Sequence, residues 1–277
     1  MTRPAKTLGL DFSGLAIRLS GVDSGLAPLV AEHWGAFVVS SIAESPWLDI
    51  AVEPGTRTIV VRPTMRPSLV GVVTADRAHF ESDEGSIDVE DGRAVARIDS
   101  GDPTWRFWGL ANLLAAAMAA TLPSRPGAML HAAGIVVDGR AFLLTGPSGT
   151  GKSTWARAAG AGGARIVGDD TIVVDASSSE LMLLGTPIRA HDLRPLGRGR
   201  WPVAAILHAR WGSPPSLGPV SPAVAQARLA ANLLYLVSGW GNDARLPALL
   251  DLLAATPQRE LTFAPDPSFV TLLREST

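Results

Sequence analysis

Residues 131–175 read HAAGIVVDGRAFLLTGPSGTGKSTWARAAGAGGARIVGDDTIVVD, and this segment decides the fold class. At its centre, Gly146, Gly151, Lys152 and Ser153 fit the phosphate-loop pattern G-x-x-x-x-G-K-[ST]. Glycines let consecutive backbone N–H groups turn inward toward phosphate oxygens. Lys152 has the reach to contact β- and γ-phosphates, and the hydroxyl of Ser153 is a ligand for Mg²⁺. The motif therefore predicts a bound nucleotide.

The residues on both sides of the loop have the pattern that this motif requires. RAFLLT at 140–145 is apolar enough for a strand, and KSTWARAAG at 152–160 suits a helix that ends at a glycine. The N-terminus of that helix would add partial positive charge beside the phosphates. The alternative is a glycine-rich turn with an unrelated lysine. Lysine usage argues against it, because Lys6 and Lys152 are the only two lysines beside 24 − 2 = 22 arginines.

The strand that enters the loop is predicted to be the second strand of a hairpin. Asp138-Gly139, a preferred two-residue turn, separates the apolar runs at 134–137 and 140–145. Most doubly wound nucleotide folds instead begin with a single strand and build a parallel sheet through crossovers. The hairpin therefore favours a mixed α/β sheet of another type.

Two adjacent carboxylates follow the loop at short range. Asp169 and Asp170 lie 17 and 18 residues after Lys152, behind a short apolar strand that would bring them back to the loop. Phosphate transfer to a hydroxyl needs one carboxylate to help hold Mg²⁺ and another to accept the hydroxyl proton. The alternative is an acidic pair that only caps a turn before the strand TIVVD.

This combination of motifs resembles the catalytic core of HPr kinase/phosphorylase and its relatives, the HPr-kinase-like serine kinases. That family has a histidine, then G-x-S-G-x-G-K-S, then a short helix and an Asp-Asp pair. Here the histidine is His131, the loop is GPSGTGKS at 146–153, and the pair is Asp169-Asp170. The match covers about 45 residues. It implies a P-loop fold like that of phosphoenolpyruvate carboxykinase, with a mixed sheet and helices.

The resemblance also implies a role for each matching residue. Asp170 would accept the proton of the substrate hydroxyl, His131 would lie beside the transferred phosphate, and Lys152 would bind phosphate. Ser153 and Asp169 would serve the metal. His131 also has a purely structural alternative. ATP and Mg²⁺ are the implied cofactors. The residues expected to bind the nucleotide are Gly146, Pro147, Ser148, Gly149, Thr150, Gly151, Lys152, Ser153 and Thr154.

The chain departs from the family at several points. A glutamate that serves the family as a metal ligand just before Ile-Arg-Gly has no counterpart, because Thr186-Pro187 precede Ile188-Arg189. The chain is therefore expected to be a divergent kinase that phosphorylates a serine of a peptide or protein, such as a natural-product precursor peptide. A small-molecule kinase acting on free serine and a catalytically inactive nucleotide-binding regulator remain alternatives. Relatives commonly assemble, so a homo-oligomer also stays open.

The rest of the chain suggests two domains. Residues 1–125 are predicted to form a strand-rich N-terminal lobe ending in an apolar helix from about Thr104, either a substrate clamp or a structural lobe. Residues 126–277 are predicted to form the kinase domain. Downstream, a helix is expected over 222–240. An arginine-rich loop at 189–200 would contact phosphate or an acidic peptide, or remain solvated.

Composition limits the other function classes. A net charge of −2 gives no basic field for nucleic acid, and the absence of cysteine excludes disulfides and thiolate metal sites. The first twelve residues lack the apolar core of a signal peptide. The apolar run at 107–122 is shorter than the roughly 20 residues that a membrane span needs. We therefore expect a cytoplasmic protein that binds neither nucleic acid nor membrane.

Overall fold

The computed structural model describes residues 5–42, 44–59, 69–74, 77–122, 125–188, 197–234 and 245–276. This part of the chain is mixed α/β, with two large mixed sheets and six α-helices. It divides into two compact units, one made of the described residues between 5 and 122 and the other of those from 125 onward.

In its described residues, the first unit contains one eight-stranded sheet and two α-helices. The sheet has the strand order β3-β1-β2-β4-β8-β7-β6-β5, in which β2–β4 and β4–β8 pair in parallel and the other pairs are antiparallel. Its elements, in chain order, are β1 (Lys6–Asp11), β2 (Ala16–Val22), α1 (Leu26–Trp34), β3 (Val38–Val39), β4 (Leu48–Thr58), β5 (Val70–Val73), β6 (Arg77–Ser82), β7 (Gly85–Glu90), β8 (Arg93–Ser100) and α2 (Pro103–Thr121).

The apolar helix of this unit begins where the sequence predicts. Pro103 occupies the first turn, and the side chain of Asp102 accepts a hydrogen bond from the backbone N–H of Thr104 at 2.9 Å. This side-chain cap satisfies a donor that the helix leaves unpaired. The buried face of α2 packs against β7 and β8. Among the described residues, no helix is both long and apolar enough to cross a membrane.

The second unit contains an eight-stranded mixed sheet in which two strands that are distant in the strand order also pair with each other. Its strand order is β10-β9-β12-β13-β14-β16-β15; β14 also pairs in parallel with β10, and β11 adds to β9. Its elements, in chain order, are β9 (Gly127–Val137), β10 (Arg140–Thr145), α3 (Lys152–Ala161), β11 (Arg165–Gly168), β12 (Thr171–Asp175), β13 (Met182–Leu184), β14 (Arg200–Trp211), β15 (Ser216–Pro219), α4 (Pro222–Ala230), α5 (Arg245–Ala255), β16 (Gln258–Phe263) and α6 (Ser268–Glu275).

The hairpin predicted before the loop is present. β9 and β10 pair antiparallel through a turn at Asp138-Gly139, where both residues have positive φ. Asn, Asp and Gly tolerate this left-handed backbone, which is why they dominate such turns. The sheet is mixed, as the hairpin predicts.

Two apolar clusters occupy the two faces of the central strands. Along β9, Ala133 and Ile135 belong to a core shared with Trp155 of α3 and Phe269 of α6. The alternate residues belong to a second core with β12, β13, α4 and α5. Because side chains alternate along a strand, each central residue faces one of these two cores.

The helix expected over 222–240 is shorter than predicted. It ends at Ala230, and the following residues lie beside β9 instead. There the backbone carbonyl of Asn232 accepts from the N–H of His131 at 2.7 Å, and the N–H of Leu234 donates to the carbonyl of Met129 at 2.9 Å. These bonds satisfy backbone groups that β9 would otherwise leave unpaired, which outweighs the helical pattern of the sequence. Residues 235–240 lie outside the described part of the chain.

Candidate active site

The phosphate loop connects the end of β10 to the first turn of α3. Gly146, Gly149 and Gly151 have φ values of 158°, 85° and 91°, which L side chains rarely adopt. A Cβ at Gly146 would come within 2.8 Å of Oγ1 of Thr150. That Oγ1 donates to the carbonyl of Pro147 at 2.8 Å and braces the loop from inside. The backbone conformation of the loop therefore requires glycine at these positions.

The other residues predicted to bind the nucleotide lie along the loop and in the first turn of α3. The loop tip is exposed, whereas the residues at the start of α3 are half-buried. The exposed residues are Pro147, Ser148 and Gly149, and the half-buried ones are Thr150, Gly151, Ser153 and Thr154. An exposed loop with buried ends leaves its tip accessible to a ligand.

Lys152 is almost completely buried, although it carries a charge. Its side chain is folded back over the loop, where Nζ donates to the carbonyl of Gly146 at 2.8 Å and to that of Pro147 at 3.1 Å. A compact ammonium with rotatable donors suits this position better than a planar guanidinium. The geometry gives a physical reason for a lysine here, in a chain whose other basic residues are arginines apart from Lys6.

Sheet register brings the histidine and the Asp-Asp pair beside the end of β10, where the loop begins. Thr145, the last residue of β10, pairs with Ala132 of β9. The next residue along β9, His131, pairs with Thr171 of β12, and Asp170 directly precedes that strand. The end of β10, from which the loop leaves, thus lies beside His131 and Asp170.

His131 and Asp170 are in direct contact. Nδ1 of the histidine donates to the backbone carbonyl of Asp170 at 3.0 Å and lies 3.4 Å from its carboxylate Oδ1. The other carboxylate oxygen accepts from the hydroxyl of Thr171 at 3.4 Å. Only 13% of the Asp170 side chain is exposed. The contacts fix the orientation of the imidazole and hold the carboxylate beside it.

Asp169 is more deeply buried, at 1% exposure, in the bend between β11 and β12. Within the described ranges, no group of three or more His, Asp or Glu side chains forms a metal cluster. Mg²⁺ is typically held by one or two carboxylates together with substrate phosphates and water. The Asp169 carboxylate and the Ser153 hydroxyl each offer oxygen atoms of the kind that this ion prefers.

A buried histidine below the loop is the main residue that the sequence interpretation missed. His208 of β14 is completely buried and pairs in register with Thr145. Its Nδ1 lies 3.1 Å from Oγ1 of Thr145, and its Nε2 donates to Oε1 of Gln258 at 2.9 Å. A neutral ring with its proton on Nε2 satisfies both contacts. The available signal was one polar residue inside the apolar run PVAAILHAR.

Burial lowers the pKa of His208 below its ordinary value, and the nearby charge of Arg228 lowers it further. The hydrogen bond to Gln258 and the charge of Glu260 act in the opposite direction but do not offset the burial. The ring is therefore neutral at neutral pH.

We expect acidification to destabilise the protein through His208. Below about pH 6.5 the unfolded chain takes up a proton that the folded ring resists, so the free energy of unfolding falls as pH falls toward the lowered folded pKa. Urea unfolding at about pH 7.5 and about pH 5.5 measures this loss. His208→Gln, which lacks the titrating group, should lose less stability than the wild type over this interval. Equal losses would contradict the assignment.

The arginine-rich segment is only partly described. Arg189, His191 and Arg194 lie outside the described residues. Arg200 donates to Oδ2 of Asp175 at 2.7 Å, at the end of β12 opposite to Asp170. Burial alone would raise the pKa of Asp175, but its hydrogen bonds with Arg200 and Ser177 and the charge of Arg125 lower it overall. Arg200 thus stabilises a buried carboxylate at the far end of the strand.

Comparisons with known proteins add no assignment: no family model and no curated protein matches this chain.

Proposed function

We propose that this chain is an ATP- and Mg²⁺-dependent kinase that transfers the γ-phosphate to a serine hydroxyl of a peptide or protein. The proposal includes the HPr-kinase-like family and its carboxykinase-like P-loop fold. The observation that carries it is the convergence of three predicted features beside the end of β10: the loop after Thr145, His131, and the Asp169-Asp170 pair. The register of β9 with both neighbours produces this convergence.

Each residue then has a task that fits its surroundings. The ammonium of Lys152 exchanges the carbonyls of Gly146 and Pro147 for phosphate oxygens, and the loop N–H groups hold the remaining charge. The carboxylate of Asp170 accepts the proton of the attacking hydroxyl. His131, oriented by the backbone carbonyl of Asp170, lies beside the transferred group.

The metal fits the residues present. Mg²⁺, when bound, neutralises charge on the phosphates. Ser153 and Asp169 are the residues that would hold it, because both offer the oxygen ligands that this ion prefers. We further propose that the protein acts in the cytoplasm, which the absence of cysteine supports.

The test is transfer of label from γ-labelled ATP·Mg²⁺ to a panel of serine-containing peptides, HPr protein and free serine. Label on a peptide or protein that disappears in Asp170→Asn supports the proposal. Label on free serine alone would replace the peptide kinase with a small-molecule kinase. ATP binding without label on any acceptor would favour a regulatory module, and an absence of nucleotide binding would exclude the phosphate-loop assignment itself.

A further inference from the structure

A half-exposed tryptophan lies against the phosphate loop. Trp211 is the last residue of β14 and has 49% of its surface exposed. One edge of its six-membered ring touches Gly151 so closely that a Cβ there would overlap the ring. On its buried side the indole packs on Phe263, with ring centroids 4.8 Å apart and planes inclined by 32°. The ring is therefore supported from behind and beside, and partly open to solvent.

The sheet places Trp211 and His131 on opposite sides of the loop. β10, which leads into the loop, lies between β9 and β14. Alternation along β14 puts Trp211 on the same face as Leu207, which shares the core containing Trp155 of α3. Alternation along β9 puts His131 on that face too, in phase with Ala133. The loop thus has the histidine–carboxylate pair on one flank and an aromatic surface on the other.

A nucleoside triphosphate bound to the loop has two ends to place. Its γ-phosphate must lie toward the pair that would carry out the transfer, on the β9 side. Its base must then leave the loop in the other direction, past the glycine that precedes the α3 N-terminus. Trp211 lies there, and about half of its surface is exposed.

We propose that Trp211 forms the nucleobase subsite, stacking its indole on the base of the bound nucleotide. This inference rests on the proposed function and adds to it the residue that recognises the base. Aromatic surfaces stack on any base, because every base has a π-face. We therefore expect binding of ATP and GTP alike to depend on Trp211, and binding of inorganic tripolyphosphate not to depend on it.

The experiment compares ATP with tripolyphosphate, each with Mg²⁺, on the full chain by calorimetry. Trp211→Ala should weaken ATP binding by about tenfold or more, the loss expected for one stacked base, and leave tripolyphosphate binding unchanged. Trp211→Phe keeps an aromatic face and should recover most of the ATP affinity. Val224→Ala removes another exposed apolar side chain of the same unit and serves as the control.

The possible outcomes distinguish base binding by Trp211 from phosphate binding by the loop. An equal loss for both ligands in Trp211→Ala would show that the ring only supports Gly151 and would overturn the subsite. Unchanged ATP binding in that variant would overturn it as well, while leaving the phosphate loop intact. A wild type that binds neither ligand would instead overturn the proposed function, and the subsite with it.

Discussion

Lys152→Met is expected to reduce the rate of phosphate transfer by about 10²- to 10³-fold, the loss typical of removing one preorganised charge from a transition state. Methionine keeps most of the buried volume of the lysine stem but cannot neutralise phosphate. ATP affinity should fall by about tenfold or more, since hydrogen bonds to charged groups contribute about 1.5–3 kcal/mol each. Transfer of γ-label and calorimetric titration with ATP measure the two effects.

The chain offers a matched control, because it has one other lysine. Lys6 is exposed on β1 in the first unit, and Lys6→Met removes the same charge from the chain. This control should transfer and bind like the wild type. Unfolding by urea establishes whether Lys152→Met is folded. A folded Lys152→Met with wild-type ATP affinity would show that the loop does not bind phosphate.

Asp170→Asn is expected to lower kcat by about 10²- to 10⁴-fold, the range for loss of a general base. ATP affinity and the Mg²⁺ requirement should change little, because the amide keeps the size of the carboxylate and its contact with Thr171. The phosphate-transfer assay gives kcat, and titration with ATP gives the affinity.

Two further variants make this result specific. Asp169→Asn should shift the Mg²⁺ concentration needed for activity, since its assigned task is the metal. Asp138→Asn removes a carboxylate from the exposed hairpin turn, at the other end of β9 and β10, where asparagine tolerates the positive φ. That variant should be fully active. If Asp170→Asn keeps the wild-type kcat, another group accepts the proton.

Local sequence patterns predicted the hairpin and the mixed sheet of the second unit. Asp138-Gly139 predicted the hairpin because few residues adopt its backbone, and the run 140–145 predicted a strand because nothing polar interrupts it. The mixed sheet followed from the hairpin. The predicted end of α4 was wrong, because the hydrogen bond between Asn232 and His131 joins residues about 100 positions apart, which no local pattern encodes.

The sequence predicts the candidate site residues themselves, but not the residues that pack against the loop. Gly151, Lys152 and Asp170 follow from motif and spacing. His208 and Trp211 do not, because their relation to the loop depends on the parallel pairing of β14 with β10, a long-range contact. A tryptophan at a strand end is also indistinguishable by sequence from a core tryptophan such as Trp155, which is fully buried.

The turn at Asp138-Gly139 has a practical consequence for handling the protein. It lies at the opposite end of the hairpin from the loop, its aspartate is largely exposed, and no atom lies within 4 Å of a Cβ built on Gly139. Extra residues inserted there would lengthen a surface turn without shifting β9 against β12, so His131 would keep its place opposite Thr171. An affinity tag or a fluorescent label could therefore be attached at this turn without altering the end of the hairpin that leads into the phosphate loop.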